Sequence, residues 1–83
     1  RKRLILKDEK IELTKKEFEI LRLLLENQGK VFTRDDILTT VWGNDVVVTE
    51  RTVDVNITRL RAKLGHYGKN LKNKTGFGYY FEF

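Results

Sequence analysis

The sequence predicts one α+β domain over residues 1–83, with two short strands, three helices and a C-terminal hairpin in that order. Short apolar runs with strand character lie near the two ends of the chain. Between them lie three segments with helical spacing of apolar residues, each preceded by a threonine and followed by a glycine. Hydrophobic residues make up 40% of the chain and proline is absent, a composition that favours a folded core.

The strands are expected over residues 3–7 and 10–13, with a tight turn at Asp8-Glu9. The C-terminal hairpin is expected to pair residues 71–74 with residues 79–83 around a turn of two glycines. Residues 66–70 are polar and are interpreted as a turn. Alternation along the last strand places three aromatic rings on the core and Tyr80 outward; the three are Tyr79, Phe81 and Phe83.

Capping residues define where the helices begin. Thr14 and Glu17 have the spacing of a capping box, in which each side chain bonds a free backbone amide of the other. Thr33 and Asp36 resemble a second cap, and Thr49 is expected to cap the third helix. The predicted helices cover residues 15–27, 34–42 and 50–64. The first is apolar around most of its circumference, so we expect it at the centre of the domain.

Composition excludes several classes of function. The chain has no cysteine and one histidine, so disulfides, thiolate nucleophiles and zinc sites built on cysteine are excluded. His66 lies in a predicted loop without a catalytic motif, and we expect no enzymatic activity, no metal and no cofactor. No apolar run approaches the ~18 residues needed to span a bilayer, and no signal peptide is visible. We therefore expect a cytoplasmic protein without a membrane partner.

The net charge of +5 is unevenly distributed along the chain. Residues 1–50 carry ten Lys or Arg and ten Asp or Glu, whereas residues 51–83 carry seven basic and two acidic residues. All of the excess positive charge therefore lies in the last 33 residues. This asymmetry favours a polyanionic partner, and nucleic acid before membrane.

The third helix has two contrasting faces. Its predicted core stripe consists of Val53, Ile57, Leu60 and Leu64. The opposite face contains three cations, two hydroxyls and no acid; its residues are Arg51, Thr52, Val55, Thr58, Arg59, Ala62 and Lys63. Such a face suits the major groove of DNA, because arginine can bond guanine and valine can meet the methyl group of thymine. A solvated basic helix is the alternative.

Positions on this face suggest different contacts. Arg59 lies near the middle and is the candidate for a base contact, whereas Arg51 and Lys63 lie toward the ends, where phosphates are within reach. Arg61 lies at the edge of the face, near Asp54. It is either a phosphate contact or the partner of Asp54 in an ion pair within the helix. Asp54 is interpreted as structural, because phosphates repel a carboxylate.

The C-terminal hairpin adds two more cations. Lys72 and Lys74 are two residues apart and share one face of a strand. Beside a recognition helix, a basic hairpin tip is well placed for the adjacent minor groove or its phosphates.

Five segments in register resemble the winged-helix effector domain of OmpR/PhoB-type response regulators. They are Leu13-Thr14-Lys15-Lys16-Glu17-Phe18, Gly29-Lys30-Val31-Phe32-Thr33-Arg34, Val41-Trp42-Gly43, Arg51-Thr52-Val53-Asp54-Val55-Asn56-Ile57 with Arg59-Leu60-Arg61, and Gly76-Phe77-Gly78-Tyr79. The resemblance covers nearly the whole chain and implies a winged helix-turn-helix domain that binds double-stranded DNA and regulates transcription.

In the family, the third helix enters the major groove and the hairpin, called the wing, touches the minor groove. The resemblance implies phosphate contacts by Trp42, Arg51 and Arg61 and a base contact by Arg59. The remaining candidate DNA contacts are Thr52, Val55, Asn56, Thr58, Lys63, Lys72, Lys74 and Thr75. The loop between the second and third helices often contacts RNA polymerase, which maps here to Asn44, Asp45 and Val46.

The resemblance also implies a larger regulatory system. In the family, a receiver domain precedes this domain and is phosphorylated by a sensor histidine kinase. Phosphorylation favours dimers that bind direct-repeat DNA. Only two strands fit before Thr14, where the family usually has about four, so the chain is expected to start within that sheet.

Three positions differ from the usual family pattern. Lys74-Thr75-Gly76 stands where the wing commonly has Val-Arg-Gly, so the usual minor-groove arginine is missing. Asn56 occupies a position that is often histidine, and Thr58 one that is often basic.

An alternative function is a winged-helix module that binds protein. The outward face of the third helix argues against it, because protein interfaces favour aromatic residues and complementary charge, and this face has no acids. RNA binding is a lesser alternative, since no aromatic stacking platform is evident.

Overall fold

The computed structural model describes residues 2–6, 9–43 and 48–83, with side chains over 11–43 and 48–83. In these ranges the chain forms strands β1 (Lys2–Leu6) and β2 (Glu9–Leu13), helices α1 (Lys15–Glu26), α2 (Arg34–Trp42) and α3 (Glu50–Leu64), a 3₁₀ helix (Gly65–Asn70), and strands β3 (Leu71–Lys74) and β4 (Gly78–Phe81). This order confirms the predicted α+β winged helix-turn-helix. The 3₁₀ helix replaces the predicted turn over residues 66–70, and position 8 of the first predicted turn lies outside the described residues.

The strands form two antiparallel hairpins. In the first, Lys2 of β1 lies opposite Leu13 of β2, and in the second, Leu71 of β3 lies opposite Phe81 of β4. The link between α1 and α2 also joins the wing. Phe32 and Tyr79 exchange two backbone hydrogen bonds of 2.8 Å across an isolated β-bridge. The wing is therefore attached to the helical part of the domain by its backbone.

Both predicted capping boxes are present. The backbone amide of Glu17 donates to Oγ1 of Thr14 at 3.2 Å, and the amide of Thr14 donates to Oε1 of Glu17 at 2.9 Å. Thr33 and Asp36 exchange the same pair of bonds at 3.0 and 3.1 Å. Each box satisfies amides that the start of a helix leaves without a partner. This explains why α1 and α2 begin where the sequence predicts.

Two predictions about side chains are wrong. Thr49 occupies the N-cap position of α3, but its side chain makes no capping hydrogen bond, because the amide of Thr52 donates to the backbone oxygen of Thr49 at 2.9 Å instead. Phe83 is 69% exposed rather than packed on the core. It follows the end of β4, where strand alternation no longer applies. Its ring contacts Tyr67 and Phe81 edge-on, with centroids 6.2 and 5.1 Å away.

The core forms between the three helices and the wing. The inner side of α1 is fully buried at Ile20 and Leu24, and other apolar residues of this helix are half-buried against the same core, which confirms its central position. The predicted stripe of α3 is buried in full. The buried apolar residues are Leu13, Ile20, Leu21, Leu24, Phe32, Ile37, Val41, Val53, Ile57, Leu60, Leu64, Leu71, Tyr79 and Phe81.

Among the residues whose side chains are described, one carboxylate is buried in this apolar core. Glu17 is 1% exposed, and its Oε1 accepts a hydrogen bond of 2.6 Å from Nζ of Lys63 in the last turn of α3. Burial opposes ionisation of Glu17, but the bonds from Lys63 and Thr14 outweigh it, so the pKa of Glu17 lies below its usual value. The first turn of α1 is thereby joined to the last turn of α3 by an ion pair.

The backbone bridge between Phe32 and the wing requires glycine at position 78. A Cβ atom there would lie 2.0 Å from the carbonyl oxygen of Phe32, and φ of Gly78 is 155°. We expect Gly78→Ala to lower the free energy of unfolding by more than about 2 kcal/mol, because the bridge must open. Gly76→Ala is the matched control, since its Cβ would meet nothing within 4 Å and only φ of 82° is unfavourable. We expect this control to cost about 1 kcal/mol. Equal losses in urea denaturation would contradict this role of Gly78.

The ion pair of Glu17 predicts a dependence of stability on pH. Because the pKa of Glu17 is lowered by folding, its contribution is complete above the unfolded-state pKa of about 4.3 and is lost as pH falls through the folded-state value. We expect Glu17→Gln to lower the free energy of unfolding by about 2 kcal/mol at pH 7, with the difference from wild type declining below about pH 4.

The matched control is Glu26→Gln, in which an exposed carboxylate 3.1 Å from Nε of Arg22 is replaced. We expect a change of less than about 0.5 kcal/mol, since exposed ion pairs contribute little. Urea denaturation from pH 3 to 7 measures both variants. A Glu17→Gln deficit of constant size across this range contradicts the assignment.

Candidate nucleic-acid interface

The outward face of α3 presents an exposed row of two arginines and a valine. Arg51, Val55 and Arg59 are all exposed and lie four residues apart, so they follow one line along the helix. They line a shallow groove of about 350 Å³, together with Asp54 and Thr58. The two arginines lie eight residues apart in sequence, which corresponds to ~12 Å along the helix axis. The outward face predicted from the sequence is therefore confirmed for this row.

Electrostatics distinguish the two arginines. Among the described residues, Arg59 has no ion-pair partner, whereas Arg51 is close enough to Asp54 to help lower the pKa of that carboxyl. Val55 is 39% exposed between them, one of the few large apolar side chains in the described ranges that contact solvent to this extent. The unpaired guanidinium of Arg59 can bind a hydrogen-bond acceptor, and the exposed side chain of Val55 can contact a methyl group.

The polar side chains beside this row bond their own helix. Nδ2 of Asn56 donates to the backbone oxygen of Thr52 at 2.8 Å, and Oγ1 of Thr58 donates to the backbone oxygen of Asp54 at 3.0 Å. Asn56 and Thr52 are half-buried, whereas Thr58 is exposed. In this conformation the hydroxyl of Thr58 keeps only acceptor capacity, whereas Asn56 keeps one N–H donor and its side-chain oxygen. Their proposed contacts with DNA stay predictions.

Asp54 connects three elements of the fold. Its Oδ1 accepts hydrogen bonds from Nε of Arg34 at 2.7 Å and from the hydroxyl of Tyr79 at 2.6 Å. Partial burial opposes ionisation of Asp54, but these two bonds outweigh it and lower its pKa. The pKa of Tyr79 is raised by burial and by its bond to Asp54. Asp54 is thus structural, as predicted, and joins α2, α3 and β4.

Arg61 does not pair with Asp54, and this alternative from the sequence is wrong. Its Nε donates to the backbone oxygen of Leu71 at 2.9 Å, and its guanidinium lies 5.8 Å from the ring centroid of Tyr79. Asp54 already accepts from Arg34 and Tyr79, while Arg61 reaches β3. The phosphate contact, which was the other alternative for Arg61, stays a prediction.

Two further candidates have partners within the domain. Lys63 is exposed, as expected for the outward face, and its ammonium donates a hydrogen bond to Glu17. Trp42 is half-buried at the end of α2, and Nζ of Lys16 lies 5.6 Å from its ring centroid. The same ammonium donates to the backbone oxygen of Val41 at 2.9 Å, where a cation complements the negative end of the helix.

The wing extends beside the first turns of α2 and α3. Its candidates Lys72, Lys74 and Thr75 are all exposed. A groove of about 380 Å³ separates its tip from the two helices; the lining residues are Thr33, Arg34, Asp35, Glu50, Asn73, Thr75, Gly76, Phe77 and Gly78. The structure therefore places the basic wing next to the N-terminal end of α3.

Two residues of this region were absent from the sequence-based candidates. Arg34 orients Asp54 from 20 residues away, a distance over which no local pattern gives a signal. Phe77 is 65% exposed at the tip of the wing. A phenylalanine between two glycines in a predicted turn is the signal that could have identified it.

The polymerase-contact candidates Asn44, Asp45 and Val46 lie outside the described residues. In the described part of the chain, no helix has the length and apolar character needed to cross a membrane.

Comparison with known proteins places these features in a family. The family described as "Transcriptional regulatory protein, C terminal" matches residues 8–81. The transcriptional regulatory protein VxrB of Vibrio cholerae is 45% identical over 71 residues, which cover 86% of this chain and 28% of that protein. This chain spans less than a third of the length of the curated relatives it matches.

Solved structures similar to this chain support the same family assignment. The response regulator DrrB of Thermotoga maritima, described as an OmpR/PhoB homologue, is 42% identical with a TM-score of 0.84, over 94% of this chain and 36% of that chain. The DNA-binding domain of Klebsiella pneumoniae RstA, solved in complex with the RstA box, is 30% identical with a TM-score of 0.83, over 96% and 82% of the two chains. The chain belongs to the family of C-terminal domains of transcriptional regulatory proteins, of the OmpR/PhoB type.

Proposed function

We propose that this chain binds double-stranded DNA at specific sequences and regulates transcription as the output domain of a two-component response regulator. The observation that carries the proposal is the exposed row of Arg51, Val55 and Arg59 on α3, in which Arg59 is unpaired among the described residues. A similar domain, that of RstA, was solved with its DNA box.

The exposed row lies on an α-helix, and an α-helix fits the major groove of DNA. The groove is about 12 Å wide and admits an α-helix. Arg59 lies past the middle of α3 with its guanidinium free, and it is placed to make a bidentate bond to guanine O6 and N7. Val55 lies one turn earlier and can contact the methyl group of a neighbouring thymine. Arg51 lies in the first turn, where a phosphate is the nearer target.

Phosphate contacts extend to both sides of this row. Lys72, Lys74 and Thr75 of the wing are exposed and supply two ammonium groups and a hydroxyl. Arg61 supplies a guanidinium that β3 already orients. Lys63 contributes less, because its ammonium is bonded to Glu17. Such contacts fix the register of the helix on the duplex without reading sequence.

The curated relatives are more than three times as long as the segment they share with this chain, which leaves room in them for further domains. We propose that in the whole protein a receiver domain, phosphorylated by a sensor histidine kinase, controls pairing of this domain on direct-repeat sites. In that arrangement, α3 provides the sequence specificity by contacting base edges.

The base contact of Arg59 is tested by substitution. A selection from random duplexes first identifies the preferred site, and fluorescence anisotropy then measures binding. We expect Arg59→Ala to lose about 1–3 kcal/mol on that site and to relax selectivity at one position, because a bidentate contact is removed. Arg22→Ala on α1 is the control, since it removes an arginine paired with Glu26 at 3.1 Å. Equal loss on all sequences would make Arg59 a phosphate contact instead.

The role of Asp54 predicts an effect opposite to that of simple electrostatics. Asp54→Asn removes a negative charge from a DNA-binding surface, which by itself strengthens binding. We nevertheless expect about 3–10-fold weaker binding, because Arg34 and Tyr79 lose the carboxylate that joins the wing to α3. Asp35→Asn is the matched control: it removes an exposed carboxylate beside Arg34 that carries no such bonds to the wing among the described contacts. We expect the control to bind as tightly as wild type or more tightly. Tighter binding by Asp54→Asn contradicts the role given to this network.

A further inference from the structure

The tip of the wing carries an exposed aromatic ring instead of an arginine. The turn closes through a hydrogen bond of 2.9 Å from the amide of Phe77 to the oxygen of Lys74, with Gly76 at φ 82°. Phe77 is 65% exposed. At the position where the wing commonly carries arginine, this chain has Thr75. The tip therefore offers apolar surface where a cation is usual.

Among the described residues, three large apolar side chains are exposed: Val55, Phe77 and Phe83. Phe83 contacts the rings of Tyr67 and Phe81. Val55 lies in the row proposed to contact bases. Phe77 gains little from folding, since most of its surface stays in water, and so its apolar surface is available for a partner.

The cation next to Phe77 indicates which partner fits. Nζ of Lys74 lies 5.4 Å from the centroid of the Phe77 ring. The ring and the ammonium therefore form one unit at the tip, with an apolar surface and a positive charge side by side. The edge of a DNA minor groove has the complementary pattern, because apolar deoxyribose hydrogens alternate with phosphates along it.

The surroundings of the tip restrict how DNA can approach. The groove behind the tip includes the exposed acidic residues Asp35 and Glu50. These carboxylates repel phosphates, so a DNA strand is disfavoured inside that groove. Phe77 lines this groove, but its side chain is 65% exposed, so much of the ring is accessible from outside the groove. Lys74 is not among the lining residues.

We propose that Phe77 contacts the deoxyriboses that line the minor groove next to the site read by α3, while Lys74 contacts the adjoining phosphate. The proposal rests on the DNA binding proposed above and identifies Phe77 as a positioning residue of the wing. Apolar contact of this kind is independent of salt, whereas a phosphate contact releases counterions and depends on salt.

The test uses the 83-residue chain and the duplex obtained from the selection described above. Binding of wild type, Phe77→Ala, Phe77→Leu and Lys74→Gln is measured over a series of salt concentrations. We expect Phe77→Ala to bind about tenfold more weakly with an unchanged salt slope, and Phe77→Leu to recover most of the loss. Lys74→Gln should reduce the slope by about one.

Hydroxyl-radical footprinting reads the proposed contact directly, because the radical attacks deoxyribose hydrogens exposed in the minor groove. We expect wild type and Lys74→Gln to protect a short run of sugars beside the α3 site, and Phe77→Ala to lose that protection alone. Phe83→Ala is the matched control, since it removes an equally exposed phenylalanine, 69% against 65%, outside the wing turn. We expect it to bind and protect DNA as wild type does. Thermal unfolding confirms that each variant is folded.

The possible results separate the two proposals. If wild type selects no duplex, the proposed function itself fails. If wild type is selective but Phe77→Ala keeps its affinity or its flanking protection, or shows the reduced salt slope of Lys74→Gln, the role of Phe77 is overturned. An equal loss in Phe83→Ala overturns it as well, because the effect is then not specific to the wing.

Discussion

The carboxylate of Asp54 is the interaction on which the geometry of this domain depends. It accepts hydrogen bonds from Arg34 of α2 and Tyr79 of β4 while belonging to α3, so one ionised group sets the positions of three elements. Tyr79 is also bridged to Phe32 through the backbone. Both bonds favour the ionised form of Asp54 and lower its pKa. The wing and α3 therefore form one preorganised surface instead of two independent parts.

A second ion pair holds the other end of α3. Lys63 in the last turn bonds the buried Glu17, whose second role is to complete the capping box of α1. Asp54 and Lys63 lie on opposite flanks of the buried stripe, so their bonds oppose rotation of α3 about its axis. For the proposed base contact this restraint matters, because a small rotation of α3 would move Arg59 away from the base edge.

The sequence predicted the features that depend on local pattern. The bounds of α2 and α3, the two capping boxes and the buried stripe follow from periodicity and from residues three positions apart. The side-chain partners of the candidate interface did not follow, because they join distant segments. Lys63 and Glu17 are 46 residues apart, and Tyr79 and Asp54 are 25 apart. A helical wheel places Arg61 and Asp54 near each other. It cannot show that Asp54 instead accepts hydrogen bonds from Arg34 and Tyr79, which lie on other elements.

These partners change how the positive charge of the chain is to be understood. Seven basic residues lie in the last 33 positions, but Arg61 and Lys63 donate hydrogen bonds within the domain. Arg51 is close enough to Asp54 to be partly balanced by it. The exposed lysines of the wing are left for the proposed phosphate contacts, whereas Arg59 is left for the proposed base contact. Some basic residues of the C-terminal segment thus stabilise the fold, and others are left exposed. Under the proposed function, sequence specificity therefore depends on few side chains.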